Sequence, residues 1–247
     1  MKTLLMTGTI NPSFFNKDDS EKTVNVYLSD PNKRFDEYSK TIKKYLLETD
    51  FDNVVFIENS DWGFPEKDYI EIANEHNKKF EFIKRELNES EKKKLLEKGK
   101  SYGESDLIKY AIKNSKLIKQ SKSIYKVTGR VFLLNSKKIL KSHNDTSKFI
   151  TKNKIGWSNT EFFQVNKEDY LKYLDNDLSI VDDYKKKSIE RAWFDLMKNT
   201  NIKLTRFASY PKLSGSVAGT VNRKYDKSKF ELIICSLLLK IGYFDLK

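Results

Sequence analysis

Apolar residues come in short runs separated by charged stretches, and the spacing within and between runs predicts the elements. Thr3-Leu4-Leu5-Met6-Thr7 reads as a buried strand ending at Gly8, followed by a polar stretch to Ser29. Asp30-Pro31 opens a helix, because proline at the first helical position loses an N–H that would have no partner anyway. Phe35, Tyr38, Ile42, Tyr45 and Leu46 then recur on one face as far as Glu48. Val54–Ile57 reads as a second strand, running out at Glu58-Asn59-Ser60, and residues 66–76 as a short helix. Phe80–Ile83 is a third strand, and residues 89–98 form a charged helix. Residues 104–119 are expected as one helix, with Leu107, Ile108, Ala111, Ile112 and Ile118 facing inward. Ile124–Val127 is a fourth strand, interrupted by Thr128-Gly129-Arg130 and continued by the extended run Val131–Leu134.

Strands alternating with helices predict an α/β fold with a mostly parallel sheet. The second half is less regular. Residues 160–165 read as a strand, and 183–199 as an amphipathic helix with Ile189, Trp193, Leu196 and Met197 inward. The apolar run Phe230–Phe244 carries Glu231 and Lys240; it is read as a packed terminal helix, with a membrane-facing amphipathic helix as the alternative. No repeat and no Pro/Gly/Ser-rich linker divides the chain, so a single domain is expected over its 247 residues.

Composition narrows the class. Apolar residues make up 38% against a usual ~45–50%, and charged residues 33%, yet aromatics reach 13%. Disordered chains are poor in aromatics, so this is a folded protein with a heavily charged surface. One cysteine, Cys235, excludes an internal disulfide and a Cys-based zinc site, and two histidines argue against a His-rich metal centre. No apolar stretch approaches the roughly 18 residues of a membrane span, and the apolar run at the start is too short for a signal peptide. A reducing cytoplasmic setting is the expectation. The formal net charge of +12 favours an acidic partner, although a general bias toward lysine explains it equally. Only six basic residues are arginine: Arg34, Arg85, Arg130, Arg191, Arg206 and Arg223.

In open parallel sheets, ligands sit at the carboxyl ends of the strands. Those ends are Thr7-Gly8-Thr9, Glu58-Asn59-Ser60-Asp61 and Thr128-Gly129-Arg130, and together they describe a nucleotide pocket. Singly, Gly8 and Gly129 are equally turn residues and Asn59 an Asx-turn. Arg130, beside a glycine, could grip a diphosphate with its planar fork while Lys126 adds a point charge; a salt bridge at the sheet edge is the alternative. No Gly-x-Gly-x-x-Gly is present, and Gly99-Lys100-Ser101 lacks the upstream glycine of a P-loop.

Five stretches carry a resemblance: Arg34–Tyr38, Val54–Ser60, Gly99-Lys100-Ser101-Tyr102-Gly103-Glu104, Tyr125–Arg130 and Tyr210–Gly219. Their succession resembles GT-A-type glycosyltransferases of bacterial or viral surface-polysaccharide (capsule, lipopolysaccharide) biosynthesis. The resemblance implies a nucleotide-sugar-binding half over about residues 1–135, and an acceptor half with the C-terminal helix over about 136–247. It implies a nucleotide-sugar donor and a glycan or lipid-linked acceptor, with peripheral contact with an anionic membrane as an extension and no nucleic acid. Thr7, Gly8, Thr9, Arg34, Asn59, Tyr102, Gly103, Glu104, Lys126, Thr128, Gly129 and Arg130 are the expected donor side.

Many relatives carry an Asp-x-Asp metal motif where this chain has Thr128-Gly129-Arg130. Its own matches, Asp50-Phe51-Asp52 and Asp175-Asn176-Asp177, are poorly placed, so no metal or other cofactor is expected to be required. Divalent Mn or Mg at Asp182-Asp183 is the alternative, against an exposed turn there. Arg130 and Lys126 are expected to neutralise the leaving diphosphate instead. An inverting transfer needs a carboxylate base, and Glu161 and Glu190 are the candidates. Glu161 follows Trp157 beside two phenylalanines; Glu190 is equally half of a surface ion pair with Arg191, and His143 reads as a loop residue. A single-stranded nucleic-acid-binding module is the competing function, resting on charge and aromatics without any recognisable motif.

Overall fold

Alternation sorts the first strand, β1 (Thr3–Gly8), between two faces: Leu4 and Met6 on one, Leu5 and Thr7 on the other. The computed structural model describes residues 1–13, 27–175, 180–216, 225 and 227–246. The stretch 14–26, Asp177, Arg223 and the Val217–Gly219 part of the last resembling motif lie outside them. From β1 the chain runs through α1 (Pro31–Glu48), β2 (Asn53–Glu58), α2 (Glu66–Glu75) and β3 (Lys79–Lys84). Then come α3 (Glu89–Lys98), α4 (Lys100–Asn114), α5 (Lys116–Lys119) and β4 (Ser123–Thr128). The second half holds β5 (Val131–Leu133), α6 (Ser136–Lys141), β6 (Thr151–Lys152), β7 (Trp157–Ser158), β8 (Phe162–Asn166) and α7 (Lys167–Asp169). It closes with α8 (Ile189–Lys198), β9 (Leu213–Gly215) and α9 (Lys229–Lys240).

The main sheet has the order β3-β2-β1-β4-β8. β1, β2, β3 and β4 are parallel, and β8 closes one edge antiparallel to β4. The mixed α/β class and mostly parallel sheet expected from the alternation are therefore present. Both faces are covered, which is why β1, β2 and β4 read as nearly continuous apolar runs. On one face Leu4, Met6, Val54, Phe56, Tyr125 and Val127 meet Tyr38, Ile42, Tyr45 and Leu46 of α1. On the other Leu5, Val55, Ile57, Ile124 and Phe163 meet Leu107, Ile108 and Ala111 of α4 and Trp193 of α8.

Strand order reverses between β1 and β4: the chain first builds outward through β2 and β3, then returns to the other side of β1. Crevices for ligands open at such a point, outside the carboxyl ends of the strands.

Asp30 caps α1, accepting from the N–H groups of Asn32 and Lys33, as Asp30-Pro31 predicts. Two helices depart from expectation. The helix expected over 104–119 starts at Lys100 and breaks at Ser115, whose backbone is extended. The helix expected over 183–199 begins only at Ile189; residues Asp183–Lys185 form a separate 3-10 turn. The extended run after Arg130 is β5, paired with β9 in a small second sheet.

Candidate functional site

At the β1/β4 switch point lies a cleft of about 340 Å³, within the roughly 300–1,000 Å³ of small-molecule sites. Its floor comes from strand ends: Thr7 and Gly8 at the end of β1 and Thr9 just after it, Asn59 after β2 and Thr128 at the end of β4. Thr9 Oγ1 donates to Asn59 Oδ1 at 2.7 Å, which ties two of those ends together. Gly129 does not line the cleft. Its N–H donates to the Thr7 carbonyl at 2.9 Å, and a Cβ there would stand 2.7 Å from that oxygen and 2.8 Å from the Tyr38 ring. Gly8 is under the same constraint, with Phe56 and Tyr38 within 2.9 Å of an added Cβ. The glycines let Tyr38 close over the strand ends.

The period of β4 puts Lys126 and Thr128 on the α4 face, as that of β1 does for Thr7. Glu104, in the first turns of α4, lands on all three. Its Oε1 accepts from Lys126 Nζ, from Thr128 Oγ1 at 3.3 Å and from Thr7 Oγ1 at 3.4 Å. Lys126 is fully buried and also donates to the Thr160 carbonyl at 2.7 Å. Its ammonium is held beneath the cleft rather than lining it.

Arg130 requires a correction of the same kind. Its guanidinium is buried and donates from Nη1 to Glu37 Oε2 at 2.7 Å, and it is not among the cleft-lining groups. Tyr38 explains this: its ring, which lines the cleft, lies 5.8 Å from Arg34 and 5.8 Å from Arg130, and only Arg34 reaches the cleft as well. Of the two expectations for Arg130, the salt bridge is the one present, made with Glu37. Arg34 donates from Nε to the Thr9 carbonyl at 2.9 Å and from Nη1 to that of Leu28 at 3.0 Å, so its charge is fixed at the β1 turn.

Lys100, at the first position of α4, is the cleft's second cationic side chain. Burial lowers its pKa and the Arg34 charge lowers it further, while Asp183 opposes both. Asp183 Oδ2 accepts from the Ser101 N–H at 3.0 Å and thereby caps α4 from 82 residues away. Gly99 makes room for it. Its φ is +93°, a conformation glycine adopts freely, and a Cβ would stand 2.6 Å from that carboxylate oxygen. Gly103 lines the cleft next to Leu95, whereas Tyr102 is buried outside it.

Both candidate bases are in the cleft. Glu161 is not a strand residue: Asn159 Oδ1 accepts from the N–H of Glu161 at 2.8 Å and of Phe162 at 3.3 Å, and this bend lifts Glu161 off the start of β8. Its carboxylate is hydrogen-bonded to Tyr225, whose hydroxyl is pushed up by burial and by the Glu161 charge. Glu190, in the first turn of α8, accepts from Thr160 Oγ1 at 3.1 Å. Burial raises its pKa and the nearby Glu104 charge adds to that, so it is not half of a surface pair with the exposed Arg191.

Of the Asp-x-Asp and Asp182-Asp183 candidates among the described residues, only Asp183 lines the cleft. Asp52 lies at the amino end of β2, accepting from the Lys2 N–H at 2.7 Å, and Asp175 is paired with Lys109 and Lys113. Asp182 is paired with Lys98 at 3.4 Å, leaving Asp183 as the member of that pair in the cleft. Among the described residues no group of three or more His, Cys, Asp or Glu side chains is arranged to hold a metal ion. His143 lies in a loop, with Nδ1 3.0 Å from the Tyr125 hydroxyl.

Tyr38 and Tyr225 were invisible as site residues from sequence: the first sits in a helical apolar stripe, the second in a polar stretch without periodicity. Asp183 offered only the neighbouring acid as a signal.

No family model and no curated protein matches the chain. Among solved structures, the glycosyltransferase GlyE of Streptococcus pneumoniae TIGR4 is similar with a TM-score of 0.47 and 6% identity, over 84% of this chain and 45% of that one. The chain thus spans less than half the length of GlyE. The galactosyltransferase LgtC, solved with donor and acceptor sugar analogs, is similar with a TM-score of 0.43 and 13% identity, over 83% of this chain and 72% of that one.

Proposed function

We propose that this chain is a GT-A-like glycosyltransferase that moves a sugar from a nucleotide-sugar to a hydroxyl of a glycan or lipid-linked acceptor. One observation carries the reading: a single cleft at the strand-order reversal is lined both by two neighbouring cations, Arg34 and Lys100, with Asp183 beside them, and by the carboxylates Glu161 and Glu190, which lie near Tyr225. A diphosphate leaving group and a nucleophilic hydroxyl need both kinds of charge.

The donor diphosphate would lie against Arg34 and Lys100. Negative charge develops on the diphosphate as the anomeric C–O bond breaks, and fixed cations stabilise it there. In an inverting transfer the acceptor oxygen attacks the anomeric carbon while a carboxylate takes its proton. Glu190 suits that role, because burial raises its proton affinity toward working pH. Glu161, bonded to Tyr225, would orient the acceptor. Glu104 and Lys126 would hold the floor, and Arg130 would hold Tyr38 through Glu37.

The test is a panel of nucleotide-sugars with wild type and Glu190→Gln. Transfer or donor hydrolysis should fall about 10²–10⁴-fold in the variant, the usual contribution of a positioned base, with donor affinity retained. Equal turnover in both would remove Glu190 from the chemistry. Stabilisation by single-stranded oligonucleotide and not by any nucleoside diphosphate would replace the enzyme with a nucleic-acid-binding module.

A further inference from the structure

α9 is amphipathic in reverse of what its position suggests. Leu232, Cys235, Leu238 and Leu239 pack on the core, but Phe230, Ile233, Ile234, Leu237 and Ile241 form a second apolar stripe on the opposite side. Phe230 is 71% exposed and Ile241 76%, and the i, i+3, i+4, i+7 and i+11 positions of the five put them on one face of the helix. The expectation of a packed terminal helix is therefore half met: one face packs on the core, and among the described residues the other is uncovered. Lys227 and Lys229 stand exposed at the start of the helix and Lys240 at its end. A helix start disfavours cations, so capping does not account for the first two. Glu231, the one acid of the helix, is engaged in the capping box with Ser228.

Two occupants could cover such a stripe, and the geometry separates them. A 12-residue helix is about 18 Å long and about 10 Å wide, so the stripe offers a few hundred Å² at most. A stable dimer needs about 800 Å² from each partner. Pairing two copies of α9 in either direction also sets the terminal lysines of one copy against those of the other. A bilayer with anionic headgroups has neither objection: it takes up apolar side chains from one helix alone, and it attracts lysines at both ends.

We propose that α9 lies on an anionic membrane surface, with Phe230, Ile233, Ile234, Leu237 and Ile241 among the acyl chains and Lys227, Lys229 and Lys240 at the headgroups. A second cavity, of about 60 Å³, lies between the start of α9 and the site: Lys227 and Leu232 line it together with Glu161 and Tyr225, which line the large cleft too. The transferase reading makes this the side from which a lipid-linked acceptor arrives; the membrane assignment does not depend on that reading.

Flotation of the full chain with phosphatidylcholine vesicles, with and without phosphatidylglycerol, tests it. Wild type should float only with the phosphatidylglycerol vesicles, and less at high sodium chloride. Ile233→Asp with Leu237→Asp should lower partition roughly a hundredfold at an unchanged melting temperature. If that variant misfolds, Lys227→Gln, Lys229→Gln and Lys240→Gln, away from the core, should each lower partition roughly fivefold. Wild type that stays in solution with both vesicles, or lysine variants that float like wild type, would overturn the proposal. So would a sedimenting dimer that Ile233→Asp with Leu237→Asp dissociates. Vesicle binding without nucleoside-diphosphate binding would remove the transferase reading and leave the surface; the reverse result would do the opposite.

Discussion

Replacing Lys126 by Met tests whether this cation is a strut of the cleft floor or a ligand for the donor. The ammonium is fully buried and donates to Glu104, to the Thr160 carbonyl at 2.7 Å and to Thr128 Oγ1 at 3.3 Å. Its loss leaves Glu104 with two long hydroxyl contacts, at 3.3 and 3.4 Å, and the Thr160 carbonyl without this donor. Breaking a buried ion pair by removing one partner costs about 3–5 kcal/mol. Glu104 is 25% exposed and recovers some solvation, so the low end, about 3 kcal/mol, is expected. At about 2–4 °C per kcal/mol for a chain of this size, the melting temperature should fall about 6–12 °C. Adding Glu104→Gln removes the stranded charge, so the double variant should recover more than half of the loss. Urea unfolding of wild type, both single variants and the double variant gives the coupling energy directly. A Lys126→Met cost below about 1 kcal/mol, or no coupling to Glu104, would refute the strut and return Lys126 to the diphosphate.

Three further outcomes follow from the same structure. Burial lifts Glu58 to about 7 even though the N–H groups of Ile10 and Ser60 favour its charged form, so the folded state keeps a proton that the unfolded state has lost. Stability should therefore decline as pH rises from about 4.5 to about 7, by up to about 3 kcal/mol, and Glu58→Gln should flatten that slope in urea titrations; a rise over the window would reverse the assignment. Arg130→Ala should cost about 1–3 kcal/mol of stability, with nucleoside-diphosphate affinity in the folded protein unchanged by calorimetry; a tenfold affinity loss would place Arg130 in the site after all. Gly99→Ala should destabilise by about 1–3 kcal/mol through its positive φ and the Asp183 contact, and pairing it with Asp183→Ala should relieve the second part only; full relief would mean that the backbone is not strained.

Local signals in the sequence were read correctly where the cause was local. Asp30-Pro31 marks the start of α1, and the charged helix at 89–98 has the expected bounds because Asn88 and Glu91 cap it within four residues. Errors arose where a distant residue decides. Glu81 of β3 accepts from Ser115 Oγ at 2.6 Å and from the N–H groups of Lys116 and Leu117, each at 2.9 Å, and so splits the helix expected over 104–119. Asp183 moves its start to Lys100 by the same means. The site divided likewise. Strand ends place Thr7, Asn59 and Thr128 correctly, since a parallel sheet presents its carboxyl ends together. Which cation faces the cleft depended on Glu37 and Glu104, 93 and 22 residues away from the arginine and the lysine they bind.

In the proposed reaction, the strand ends around β1 and β4 bind a nucleoside diphosphate. Hydrogen exchange of the full chain with UDP, GDP and dTDP in turn tests it most directly. At least one should slow exchange at the N–H groups of residues 7–9, 59–60, 100–104 and 128, with the amino ends of the same strands unaffected. Protection confined to any other surface, or none with any nucleotide at saturating concentration, would contradict the account.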